Sequence, residues 1–300
     1  MQNHLQPSKS SWTILELIKW TTSYFTTHDI DSPRTTAELF LADVLNIKRI
    51  DLYLQYDRPL IPSELEGFKA LIKRRVGREP VAYIRGSKEF WSMDLKVTPD
   101  VLIPRPETEC LVEAVLSHLL DTNGGKAKKV LDLGTGSGAI VLALASQSSD
   151  HLFFASDLSS KALEVASENA KRHGLEKRVC FFSGDWFYPF RNNAVLFDFI
   201  VSNPPYIRSD DIGRLQPEVC EYEPRMALES EKDGLGAIRH IVQQAHAYLN
   251  HDGYLLLEID HNQKNDVRHI IDQTDQYQEV SFSKDYSGYY RVVEMKKRSN

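Results

Sequence analysis

The run Val130-Leu131-Asp132-Leu133-Gly134-Thr135-Gly136-Ser137-Gly138 limits the folds open to this chain more than any other stretch. An apolar run bounded by turn residues reads as a strand buried on both faces. It leads straight into glycines at alternate positions and then into an apolar helical stretch, residues 139–145. Such glycines let the backbone turn tightly between strand and helix and let a ligand touch the main chain. The helix start behind them offers amide groups with no intrahelical acceptor. A strand of this kind needs parallel neighbours, and the sequence supplies them: residues 152–155, 179–182, 197–201 and 254–259 read as strands. Residues 159–173, stopped by Gly174, and 235–249 read as helices between them. Strands separated by helices imply a doubly wound sheet. Residues 279–283 and 289–294 read as a closing antiparallel pair, so the expected fold is α/β: a Rossmann-like, mostly parallel seven-stranded sheet.

The first part of the chain has a different character. Trp12, Leu15, Ile18 and Lys19 give a helical stripe. Thr35 with Glu38, and Ser63 with Glu66, match the capping-box spacing ahead of apolar residues. Asp57-Arg58-Pro59 and Ile61-Pro62 break the chain between them. Residues 1–78 are therefore expected to form a small helical domain. Tyr83-Ile84, Gly86-Ser87-Lys88 and Glu89-Phe90-Trp91, in that order, read as a hairpin, and Leu95 and Val97 continue the extended pattern. Residues 79–100 are read as a hairpin linker and 101–300 as the domain that carries the doubly wound sheet. That domain opens on a helix framed by Pro104 and Pro106, with Glu107 and Glu109 in its first turn and Asn123-Gly124-Gly125 as its stop.

Bulk properties exclude several classes. A chain of 300 residues favours two domains over one, and 42% hydrophobic with 26% charged residues is ordinary for a globular protein. A net charge of −6 argues against stable binding to a nucleic-acid backbone. Cys110, Cys180 and Cys220 are widely spaced and odd in number, which argues against a disulfide framework or a zinc site. The ten histidines show no metal-ligand spacing, so no metal is expected. No apolar run approaches the about 18 residues of a membrane span, and residues 1–12 contain no signal core, so a cytoplasmic location is expected. Lys73-Arg74-Arg75 with Arg78, and Lys126, Lys128 and Lys129, read either as solvated faces or as a landing strip for an acidic partner.

Two places carry chemistry. Asp157 follows the second strand of the sheet, about 20 residues beyond the glycine loop, where a carboxylate can accept from ribose hydroxyls. Gly134-x-Gly136-x-x-Ala139 also satisfies the relaxed dinucleotide pattern, so a nicotinamide cofactor stays open on these residues alone. Asp132 and the closely spaced third glycine, Gly138, lean toward S-adenosylmethionine, which has no pyrophosphate to seat. Asp185-Trp186 ends the third strand, where a carboxylate could accept from an adenine amino group and an indole cover its face; a strand-end acid beside a core tryptophan is the equal alternative. Ser202-Asn203-Pro204-Pro205-Tyr206 follows the fourth strand directly. An amide or aromatic amine nitrogen is a poor nucleophile because its lone pair is delocalised. Methylating it requires the nitrogen to be aimed and its two N–H groups to be held. The Asn203 oxygen and the Pro204 carbonyl can accept them, successive prolines fix that carbonyl, and Tyr206 offers a flat face.

With these residues in hand, the chain resembles the release-factor glutamine methyltransferases, the family called PrmC or HemK, over nearly its whole length. The resemblance rests on Glu79-Pro80-Val81-Ala82-Tyr83-Ile84-x-Gly86, Glu89-Phe90, Leu102-Ile103-Pro104-Arg105-Pro106-Glu107-Thr108-Glu109, the glycine loop through Thr135, Ser137 and Ile140, Asp185-Trp186, Ser202 through Ile207, Tyr222-Glu223-Pro224-Arg225 and Asp233-Gly234-Leu235. It departs at Ser92 and at Asp260-His261-Asn262, where glycine is usual. It implies S-adenosylmethionine at Gly134 to Gly138, Asp157, Trp186 and Asn203, with the substrate glutamine held at Asn203, Pro204, Pro205 and Tyr206. It also implies methylation of the side-chain nitrogen of the Gly-Gly-Gln glutamine in class I release factors, by a monomer whose N-terminal helices help to bind that protein. An adenine-N6 DNA methyltransferase shares the tetrapeptide but needs a basic target-recognition module. A non-catalytic adaptor would have no need for an intact loop, acid and tetrapeptide.

Overall fold

A computed structural model describes residues 11–120, 126–191 and 195–299. The chain forms two compact units that divide between Arg85 and Gly86. The first contains α1 (Ile14–Thr26), α2 (Pro33–Leu45), α3 (Asp51–Leu54), α4 (Pro62–Val76) and α5 (Val81–Arg85). Thr13 and Glu16 cap α1 reciprocally: each side chain accepts the other's backbone N–H. The two capping boxes expected further on do not form. Pro33 and Pro62 start α2 and α4 instead, because a proline costs nothing at a helix position whose N–H has no acceptor. Glu64 caps α4 by accepting the Ile61 N–H. Glu38 is fully buried and accepts from Arg34, Arg49 and Tyr53. Phe25, Phe40 and Phe68 centre the core of this unit.

The second unit opens with a hairpin, β1 (Ser87–Phe90) and β2 (Met93–Lys96). Its turn is not where the order of residues suggested. Tyr83 and Ile84 are helical, in α5, and the chain reverses at Trp91-Ser92, both at positive φ (52° and 58°). Two consecutive left-handed residues match the right-handed twist of the flanking strands.

The remaining elements are α6 (Glu109–Leu120), β3 (Lys129–Leu133), α7 (Ala139–Gln147), β4 (Leu152–Asp157), α8 (Ser160–Arg172), β5 (Val179–Ser183), β6 (Phe197–Ser202), α9 (Pro217–Cys220), α10 (Gly236–Ala245), β7 (Leu249–Glu258), α11 (Lys264–Thr274), β8 (Tyr277–Lys284) and β9 (Tyr290–Lys297). The expected stop of α6 at Asn123-Gly124-Gly125 lies outside the described residues. The sheet runs β5-β4-β3-β6-β7-β9-β8; all pairings are parallel except β7–β9 and β8–β9. Successive strand residues serve opposite faces. Val130, Phe199, Val201 and Leu256 pack on one side with α7 and the hairpin. Leu131, Leu133, Ile200, Leu255 and Leu257 pack on the other with α10 and α11. Residues 139–145 of α7 are buried all round, as a helix without a polar face must be. The connections from β3 lead outward to β4 and β5, and β6 then returns to the opposite side of β3. That reversal opens a crevice at the carboxyl ends of β3 and β6, where Leu133 pairs with Ser202. Among the described residues no helix is long and apolar enough to cross a membrane.

Candidate active site

The glycine loop starts on β3 and is tied to β4: the amides of Gly134 and Thr135 both donate to the Ser156 carbonyl, at 2.8 and 3.0 Å. Gly134, Gly136 and Gly138 all have left-handed φ, 69°, 57° and 84°. At Gly138 space also matters, since a Cβ there would stand 3.1 Å from Leu142 and 3.3 Å from Ala166. Behind the loop, Asn169 of α8 donates to the Ser137 carbonyl at 2.9 Å while exchanging two hydrogen bonds with Lys96 of β2. Loop, helix and hairpin are thus held through one buried carboxamide.

Asp157 stands at the end of β4, and each of its oxygens accepts a backbone amide: Gly136 at 2.9 Å and Ser159 at 2.8 Å. Burial raises its pKa, and these amides pull the other way. A cleft of about 150 Å³ opens beside it. Its walls include Gly134, Gly136, Asp157, Asp185, Trp186, Asn203 and Pro205 of the expected site. Ser156 also lines the cleft, and its hydroxyl is buried with no hydrogen-bond partner among the described residues.

The other expected site residues stand elsewhere. Asp132 is fully buried beneath the loop, where it accepts from the Thr135 hydroxyl at 2.7 Å; burial pushes its pKa up to about 7. Thr135, Ser137 and Gly138 form the buried underside of the turn. Pro204 is buried, and Tyr206 does not line the cleft. The Tyr206 hydroxyl donates to Glu258 at 3.2 Å, and the half-buried ring packs against the core on the α10–α11 side of the sheet.

Sequence reasoning passed over a second set of residues. Asp100, Val101 and Leu102 form one wall of the cleft, and Pro224, Met226 and Ala227 form another. The two walls are fastened by Glu223, nearly buried, which accepts the Ile103 amide at 3.1 Å and the Arg105 guanidinium at 2.5 Å. The motif around Arg105 and the one around Glu223 were both visible in the chain. Nothing local said that they meet across 118 residues. Also unanticipated is a buried chain of polar groups leading away from Asn203. Its Nδ2 donates to Thr108 Oγ1 at 3.1 Å, and the Thr108 hydroxyl donates to Glu258 Oε2 at 2.6 Å.

Comparison with known proteins agrees with this architecture. The PrmC N-terminal domain family matches residues 16–86, and the methyltransferase small domain family matches residues 109–215. A release factor glutamine methyltransferase of Geobacter sulfurreducens is 41% identical over 94% of this chain and 96% of its own length. Another, from Coxiella burnetii, is 42% identical over 87% of this chain and 91% of its own. Among solved structures, the hMettl16 catalytic domain in complex with the MAT2A 3'UTR hairpin 6 superposes with a TM-score of 0.54 at 13% identity, covering 81% of this chain and 86% of that one. At that identity the likeness is one of fold.

Proposed function

The chain belongs to the release factor glutamine methyltransferases, and we propose that its cleft methylates the side-chain nitrogen of the Gly-Gly-Gln glutamine of a class I release factor. The observation that carries this reading is that one cleft is lined both by Gly134, Gly136, Asp157 and Trp186 and by Asn203 and Pro205. The first group suits S-adenosylmethionine. Asp157, held rigid by two amides, offers its remaining lone pairs to ribose hydroxyls. Trp186 lines the same cleft and gives an aromatic face. When bound, that cofactor supplies a methyl group on an electrophilic sulfonium sulfur.

The residues of the chain do the rest. Asn203 Oδ1 accepts no hydrogen bond among the described residues, which leaves it for one N–H of the acceptor amide. The other is left to the backbone carbonyl of Pro204, whose side chain is buried but which lies in the chain between the cleft-lining Asn203 and Pro205. Holding both would turn the nitrogen lone pair toward the methyl group that bound S-adenosylmethionine would supply, and the methylated nitrogen would release one proton to solvent. Orientation and fixed dipoles are the whole of this catalysis, and no strong base is required. The N-terminal helical unit serves to select the protein substrate. The reading is tested by mass spectrometry of a release factor incubated with the protein and S-adenosylmethionine. One added methyl on the Gly-Gly-Gln glutamine is expected, and absent when Asn203 is alanine. An unmodified release factor, or label transferred to adenine in DNA, would refute it.

A further inference from the structure

Glu258 is 1% exposed, at the end of β7, with its oxygens on the Thr108 and Tyr206 hydroxyls. A buried carboxylate is costly unless it is paired and hydrogen-bonded. Arg291 of β9 faces it electrostatically but hydrogen-bonds Asp285 instead. Glu107, from the turn before α6, acts on it with like charge, and Cys110 and Asp260 stand in the same surroundings.

We propose that Glu258 is a positioning residue for methyl transfer: through the Thr108 hydroxyl it dictates which end of the Asn203 carboxamide faces the acceptor. This rests on the function proposed above. An ionised carboxylate has no proton to give, so Thr108 must donate to it. The Thr108 oxygen then has only lone pairs left for its other neighbour, which admits the NH2 of Asn203 and rejects the carbonyl. The Asn203 oxygen is thereby turned to the cleft, where it can accept from the acceptor amide. A protonated Glu258 can instead donate to Thr108, which frees the threonine proton for the Asn203 oxygen. The carboxamide then presents NH2 to the acceptor's NH2, donor against donor. Burial pushes the Glu258 carboxyl up to about 7, while Thr108, Arg291 and Tyr206 favour its charged form. Both polarities of the chain are therefore within reach near neutral pH.

The test uses single-turnover methylation of intact release factor at saturating cofactor, with S-adenosylmethionine affinity measured separately by calorimetry. Thr108→Val removes the relay at nearly constant volume. It is expected to slow transfer on the order of a hundredfold, the scale of misorientation, with cofactor affinity within about twofold. Thr108→Ser, which keeps the hydroxyl, should recover most of the rate. For the wild type, the rate should fall as pH drops through about 7, and Glu258→Gln should lack that fall because an amide does not titrate. A wild-type rate in Thr108→Val, no recovery in Thr108→Ser, or the same acid limb in Glu258→Gln would overturn the proposal. A wild-type protein that methylates no release factor would overturn the function and this proposal with it. If Thr108→Val fails to fold, the serine variant and the two pH profiles still decide.

Discussion

Asp157 joins two tasks in one carboxylate. Its oxygens pin the glycine loop and the start of α8 by the Gly136 and Ser159 amides, and its free lone pairs face the cleft. Truncation should therefore cost cofactor binding directly, through lost hydrogen bonds, and indirectly, through a loosened loop. For Asp157→Ala, weakening by about 1–3 kcal/mol is expected, the scale of bonds to a charged group. Calorimetric titration with S-adenosylmethionine checks this, and unchanged affinity would remove Asp157 from the site. Asp157 was readable from the chain because its place is fixed by local syntax: an acid at the end of the strand that follows a glycine loop. Asp132, equally prominent in sequence, is turned beneath the loop. Which face of β3 it occupies follows from strand alternation combined with what lies on each face, and only the second of these is non-local.

Among the elements, the β1–β2 hairpin shows how a single residue choice is accommodated. Ser92 occupies a left-handed position at φ 58°, where a side chain costs of the order of 1–2 kcal/mol. The turn persists because Glu89 accepts the Ser92 amide at 2.7 Å and Phe90, Met93 and Leu95 are buried against the main core. Ser92→Gly relieves the left-handed strain and leaves the Glu89 bond in place, but adds freedom to the unfolded chain. A net gain of about 0.5–1 kcal/mol is expected, seen as a rise in Tm by thermal unfolding; a lower Tm would mean that the serine is held there by something other than the turn. The misplacement of this turn in the sequence reading has the same origin. Gly86 sits at positive φ as well, but as the exit from α5, so glycine marked a reversal of direction without marking the hairpin.

At the scale of the molecule, each unit has its own core. Ile14, Phe25, Phe40 and Phe68 belong to the first, while the clusters on the two faces of the sheet are drawn from residue 90 onward. All the cleft-lining residues lie between Asp100 and Ala227. Residues 86–300 expressed alone should therefore fold and bind S-adenosylmethionine, yet methylate an intact release factor poorly, since one glutamine side chain offers little area with which to select a protein. Calorimetry on the fragment, and its methylation rate on intact release factor, check the two halves of this expectation. A fragment as fast as the full chain would remove the N-terminal helices from substrate recognition.

Whatever is written in local order can be read along the chain. Alternating apolar runs and helices specified a mostly parallel sheet, three alternate glycines specified the turn after β3, and Asn203 with its prolines specified the end of β6. Those features are legible because backbone periodicity and proline and glycine sterics act within a few residues of one another. Tertiary structure alone decided which side chains share a space. Thr108 reaches Asn203 across 95 residues and Glu258 across 150, Glu223 fastens Arg105 across 118, and the Tyr206 hydroxyl finds Glu258 across 52. Each of these contacts joins groups that must find partners once water is excluded, and a partner is set by strand order and register in the finished sheet, not by spacing along the chain.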